Sequence, residues 1–176
     1  MNDLMLDIET LGTGHNAVIT QIGAVYFIRN TGQALSQFQT NIQIQDALNE
    51  GLEIDGSALK FWFEQGIERM TWLKEPVCLS KALENFRQFC MKDTLAWSHA
   101  TFDFPILTNA YNIFNSKLPI PYRNLRDIRT LIDLSNLPYN KPKTDKTHDA
   151  LDDCLYQIKY CKEAFNLLRE KQHGQT

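Results

Sequence analysis

The run Leu4-Met5-Leu6-Asp7-Ile8-Glu9-Thr10 places two carboxylates at the end of an apolar stretch, where a folding chain normally avoids charge. In a strand, residues i and i+2 share a face about 7 Å apart. Asp7 and Glu9 would therefore point together, with Leu6 and Ile8 facing the other way. Two like charges held this close repel and raise each other's pKa. A hard divalent cation with oxygen ligands relieves that repulsion. A strand end frayed into water, with both acids hydrated, would relieve it too.

The rest of the chain bounds the choice. Its 176 residues suit one domain, 1–176, with a full core, and 43% hydrophobic content fits a globular protein. No apolar run approaches the ~18 residues of a membrane span, and the first residues show no basic region followed by an apolar stretch, so no signal peptide is expected. Cys78, Cys90, Cys154 and Cys161 lack C-x-x-C spacing, which predicts a reducing cytoplasm and no structural zinc. Cys154 and Cys161 fall on one face of a predicted helix as small core residues. The net charge of -3 argues weakly against nucleic acid, yet residues 117–147 hold seven Lys/Arg against three acids. That stretch could meet a phosphate backbone, or be a solvated helix face plus a loop.

Hydrophobic periodicity predicts strands at 4–8, 19–28 and 33–44, with Asn30-Thr31-Gly32 as a hairpin turn. Helices follow at 55–66, capped by Ser57, and at 79–91, capped by Ser80. A short strand is expected at 94–98. Further helices are expected at 104–114, with Pro105 tolerated in the first turn, at 126–134, and at about 149–170. Residues 137–147 read as a polar, Pro-containing loop whose Lys141, Lys143 and Lys146 could grip phosphates. Trp62 and Phe63 read as core. The fold class is α/β: a mixed sheet with three N-terminal antiparallel strands, flanked by helices.

Two more acidic sites complete the pattern. Asp103 follows a predicted strand at a helix start, where an N-cap is the ordinary role. His148-Asp149-Ala150-Leu151-Asp152-Asp153 opens the last helix, where acids suit the macrodipole. Each residue alone has a structural explanation. Together, Asp-x-Glu, a junction Asp and His-x4-Asp come from three element ends able to reach one cleft. Four carboxylates carry enough oxygen for two Mg²⁺ or Mn²⁺ about 3.5–4 Å apart, clamping a phosphodiester between them. A nearby His can take a proton from the attacking water.

The order Asp-x-Glu, Phe-Asp, His-x-Ala-x-x-Asp resembles the DEDDh 3′–5′ exonucleases, which have a ribonuclease-H-like fold. The resemblance runs from residue 4 to about 160. Lys60-Phe61-Trp62-Phe63-Glu64-Gln65, Ala100-Thr101-Phe102-Asp103, Arg126-Asp127-Ile128-Arg129-Thr130-Leu131 and Ala150-Leu151-Asp152-Asp153 are similar to a branch found in phages, prophages and bacteria. That branch includes phage exonuclease A and a mycobacterial exoribonuclease. It often has Gly-Asn in place of Ser98-His99 and Asn in place of Phe104.

By this resemblance Asp7, Glu9, Asp103 and Asp153 would be the metal-binding acids and His148 the general base. Asp7 would be shared by both metals. Thr10 and Leu11 would contact the terminal nucleotide. Phe102 would pack under Asp103 or stack on a base. Arg126 and Arg129 would bind phosphate or pair with Asp127 or Asp133. The implied partners are 3′ ends of single-stranded DNA or RNA, with DNA slightly favoured, and no membrane; related exonucleases are often homodimers.

Competing readings are an endonuclease on the same fold and a nucleic-acid-binding protein with a dead site. A serine hydrolase using Ser98 and His99 is a weak reading. Neighbours on a strand face opposite ways, and no Gly-x-Ser-x-Gly elbow occurs.

Overall fold

The computed structural model describes residues 2–138 and 148–173. The basic segment holding Lys141, Lys143 and Lys146 lies outside the described residues. Five strands form one sheet in the order β3-β2-β1-β4-β5. They are β1 (Asn2–Thr10), β2 (Ile19–Ile28), β3 (Gln33–Asn41), β4 (Thr94–Ser98) and β5 (Leu125–Asp127). The first three are antiparallel neighbours, whereas β4 runs parallel to both β1 and β5. Six helices flank them: α1 (Ile44–Asn49), α2 (Gly56–Gln65), α3 (Leu79–Phe89), α4 (Asp103–Ile113), α5 (Ile128–Ser135) and α6 (Ala150–His173). The expected α/β mixed sheet is what forms.

The alternation along β1 builds two cores. Leu4, Leu6 and Ile8 pack on one face with Leu83 and Phe86 of α3 and Ile106 and Leu107 of α4. Met5 points the other way, with Val25 and Trp97, to Cys154, Ile158, Cys161 and Ala164 of α6. Odd positions of β1 therefore face α6, and Asp3, Asp7 and Glu9 share that parity.

One glycine sets how close α6 comes. Gly23 pairs with Asp7 across the β1–β2 ladder. A Cβ at Gly23 would sit 2.4 Å from the Ala150 carbonyl carbon. Bare backbone on β2 thus lets the start of α6 rest on the sheet beside the strand that carries the acids.

Several local expectations are corrected. The third strand ends at Asn41; Ile42 bridges to Val77, and the unforeseen α1 begins at Ile44. Ser57 and Ser80 are not caps. Asp55 occupies the α2 cap position but accepts from the Thr13 amide and hydroxyl, and Asp46 accepts the Leu79 amide at 2.7 Å. The helix expected at 126–134 begins only at Ile128, because Leu125–Asp127 pairs with β4. Asp103 is the first helical residue of α4 rather than its cap, and its side chain is buried. Trp62 is core as expected, but Phe63 is 74% exposed. Cys154 and Cys161 are buried free thiols. Among the described residues no helix is long and apolar enough to cross a membrane.

Candidate metal centre

Parallel pairing of β1 with β4 brings the carboxyl ends of both strands to one edge, where α/β sheets bind their ligands. Asp7 and Glu9 stand at the end of β1, and Asp103 lies five residues past the end of β4. Asp153 arrives from the first turn of α6. Asp7, Glu9 and Asp103 are buried and Asp153 is half-buried. Ligand atoms of Glu9, His148 and Asp153 all lie within 4.8 Å of one another.

Asp3, on the same face of β1, is ion-paired to Arg29 at 2.6 Å and accepts from Trp97 Nε1 at 2.9 Å. Among the described residues no lysine or arginine is ion-paired with Asp7, Glu9 or Asp103. Burial first, then the charges of Asp103, Glu9 and Asp153, pushes the Asp7 pKa well up, with the Gln157 amide opposing. Burial and then Asp153, Asp149 and Asp103 do the same to Glu9. Burial lifts Asp103 to about 7, although Ser98, the backbone at His99 and Ile8, and the Arg129 charge favour its ionised form. The Ser98 contact falls short of a formed hydrogen bond: Ser98 Oγ and Asp103 Oδ2 are both buried and unpartnered.

These features fit a divalent cation. The donors are hard carboxylate oxygens, they repel one another, and a buried carboxylate oxygen is left unpartnered. Asp7, Glu9, Asp103 and Asp153 would supply oxygen ligands, and His148 stands close enough to join or to act beside them.

Neighbouring elements hold each part in place. His148 has φ 81, a left-handed conformation costly for a residue with a Cβ. Its ring meets the edges of Phe61 at 4.9 Å and Trp62 at 5.8 Å, both from α2. Asp149 accepts from Thr71 Oγ1 at 2.7 Å, from Gln39 Nε2 at 2.8 Å, and from the Leu151 and Asp152 amides. Gln21 Oε1 accepts the Ala150 amide at 2.7 Å. The start of α6 is thus tied to β2, β3 and the turn at Thr71. On the other side, Asp127 accepts from the Thr130 and Ala100 amides, joining α5 to the turn that leads into Asp103. Burial works against the Asp127 charge. The bonds from Thr130 and Ala100 and the charge of Arg129 overcome it and hold the pKa below the ordinary range.

The other residues singled out in the sequence divide. Thr10 and Phe102 line a pocket of ≈ 320 Å³ with Glu9, Phe61 and Trp62. The Thr10 carbonyl accepts Trp62 Nε1 at 2.9 Å. Leu11 is 2% exposed in the core, and its amide and carbonyl are engaged by Val18 and Asp55. Arg126 donates to the Arg123 and Leu125 carbonyls. Arg129 is exposed, donates to Thr101 Oγ1 at 3.2 Å, and acts electrostatically on Asp103. Sequence reasoning missed Thr71, Gln39 and Gln157 altogether and treated Asp149 only as a helix-start acid. No sequence signal marks them, because their partners lie on other elements.

Sheet order, flanking helices and the acid cluster define a nuclease-like fold of the DEDDh, ribonuclease-H-like 3′–5′ exonuclease superfamily. Residues 2–165 match the family described as the 3′-5′ exoribonuclease Rv2179c-like domain, and the chain belongs to that family. No curated protein sequence matches it. Among solved structures it is similar to the zinc-bound Escherichia coli exonuclease I complex with single-stranded DNA. That match has TM-score 0.71 and 13% identity, and covers 97% of this chain and 41% of that one. It is also similar to E. coli exonuclease I in complex with a dT13 oligonucleotide, with TM-score 0.67 and 15% identity over 92% of this chain and 40% of that one. The likeness at these identities is one of fold. The chain spans about two fifths of the length of these exonucleases.

Proposed function

We propose that the chain is a single metal-dependent 3′–5′ exonuclease domain that releases nucleoside 5′-monophosphates from the 3′ end of single-stranded nucleic acid. The observation that carries this reading is the gathering of Asp7, Glu9, Asp103 and Asp153 from three separate segments, beside His148.

Asp7, Glu9, Asp103 and Asp153 would hold the divalent cations, two Mg²⁺ or Mn²⁺, through their carboxylate oxygens. Bound there, the cations supply Lewis acidity toward water and the scissile phosphate. His148 accepts the proton of the attacking water at an imidazole nitrogen. Phe61 and Trp62, packed against its ring, limit where that nitrogen can be. The pocket lined by Thr10, Phe61, Trp62 and Phe102 receives the terminal nucleotide, with Phe102 offering a face for stacking. Arg129 meets a backbone phosphate at the rim. Arg126 contributes charge rather than a free guanidinium, and Leu11 holds the strand end from within the core.

The family description concerns RNA, whereas the similar solved complexes hold DNA. The complex with single-stranded DNA supports a single strand. The branch that includes phage exonuclease A and a mycobacterial exoribonuclease is the one whose motifs this chain carries. A denaturing gel of end-labelled DNA and RNA oligonucleotides with Mg²⁺, Mn²⁺ or EDTA tests the reading. Degradation of either strand with metal and none with EDTA is expected. Metal-independent cleavage, or none of either strand, would count against it.

A further inference from the structure

Gln157 donates from Nε2 to Asp7 Oδ1 at 2.8 Å, and this is the one side-chain hydrogen bond to Asp7 among the described residues. It lies one helical turn beyond Asp153 on α6, and residues i and i+4 share a helix face. The helix that brings Asp153 to the cluster therefore also brings an amide to the central acid of β1. Gln157 is 8% exposed, and its Oε1 is buried without a partner. Turning the amide over would set Oε1 against the oxygens of an ionised Asp7, so the Nε2 donor is the end that suits the metal-binding form of the acid.

The chemistry of the donor is informative. Asp3, on the same face of β1, is met by the Arg29 guanidinium through two hydrogen bonds and is neutralised. A cation at position 157 would cancel the Asp7 charge in the same way and compete with a bound metal. A neutral amide fixes the carboxylate through one oxygen and leaves its charge in place.

We propose that Gln157 is a positioning residue for metal binding, orienting Asp7 so that its free oxygen is presented to a divalent cation. The proposal rests on the metal-centre reading given above. Outer partners of this kind typically tune metal affinity by about 10–100-fold.

The test is Mn²⁺ binding to the whole chain by calorimetry, without nucleic acid, alongside melting in EDTA. Gln157→Met keeps the volume and removes the donor. Gln157→Asn keeps the amide but withdraws it by one methylene, and carries the test if the Met variant does not fold. Folded variants should bind Mn²⁺ about 10–100-fold more weakly than wild type. In turnover, kcat should fall with KM little changed, since Gln157 contacts Asp7 rather than the strand. An unchanged Mn²⁺ affinity in a folded variant, with only the melting temperature lowered, would make Gln157 a packing residue and overturn the proposal. If wild type itself bound no Mn²⁺, the metal reading would fail and this proposal with it.

Discussion

Thr71 Oγ1 donates a 2.7 Å hydrogen bond to Asp149 Oδ2, joining residues 78 positions apart and fastening the start of α6 to the turn after α2. His148 precedes this anchor and Asp153 follows it, so both are positioned through it. Asp149→Ala would remove the acceptor of half-buried Thr71, a bond worth about 0.5–1.5 kcal/mol, whereas exposed Gln39 can turn to water. Displacing reacting groups by about 1 Å can cost up to 10²-fold in rate. A lower melting temperature and a kcat reduced about 10–100-fold are expected, with Thr71→Val following in the same direction by less. Melting curves and steady-state kinetics check this. Wild-type values for both would mean that the anchor holds nothing needed.

Burial raises Asp103 from its ordinary 3.8 to about 7, and Asp7 and Glu9 are raised too. The folded, metal-free protein therefore binds protons more tightly than the unfolded chain. Stability is greatest below the ordinary carboxylate pKa and falls as pH rises through the folded value near 7. Protein in EDTA should melt at a higher temperature at pH 5 than at pH 8, within the range where the rest of the fold is stable. Millimolar Mn²⁺ should recover most of the difference at pH 8, and recover less in Asp7→Asn. Melting in EDTA that is flat or rising over this range would contradict the buried-acid account.

The site was only partly legible in the sequence, and the reasons are physical. Asp7 and Glu9 were visible because the alternation of a strand puts them together whatever the fold does elsewhere. The strand at 19–28 was visible as a long apolar run. Nothing local marks Gly23, because the Ala150 backbone that needs its missing Cβ is 127 residues away. The β5 strand is three residues long and is defined by its pairing with β4. Phe63 carries the helical spacing of Trp62's neighbourhood, yet it falls on the outward face. Gln157 and Asp149 take their roles from the tertiary contacts of α6, which no local pattern encodes.

Asp152 and Asp153 are sequence neighbours with different surroundings. Asp152 is exposed, whereas Asp153 is half-buried, and its Oδ2 accepts the His148 amide at 3.3 Å. Successive helical residues point about 100° apart, so the two cannot exchange roles. Asp153→Asn should be nearly inactive and Asp152→Asn substantially active. Activity assays on the paired variants check this, and the reverse pattern would move the motif by one residue.

For His148, a role confined to proton removal predicts that His148→Ala lowers kcat by roughly 10²–10⁴ while Mn²⁺ affinity and substrate KM persist. A large loss of Mn²⁺ affinity would instead make His148 a ligand alongside Glu9 and Asp153.

The central claim is directional removal of nucleotides at an acid-bound metal, and a 5′-labelled single strand incubated with Mn²⁺ tests it most directly. The account predicts a descending ladder whose steps stop with EDTA and with Asp7→Asn, and slow when the 3′-hydroxyl is blocked by a bulky group. Immediate release of a labelled 5′ mononucleotide, or efficient cutting of a circular single strand, would contradict it.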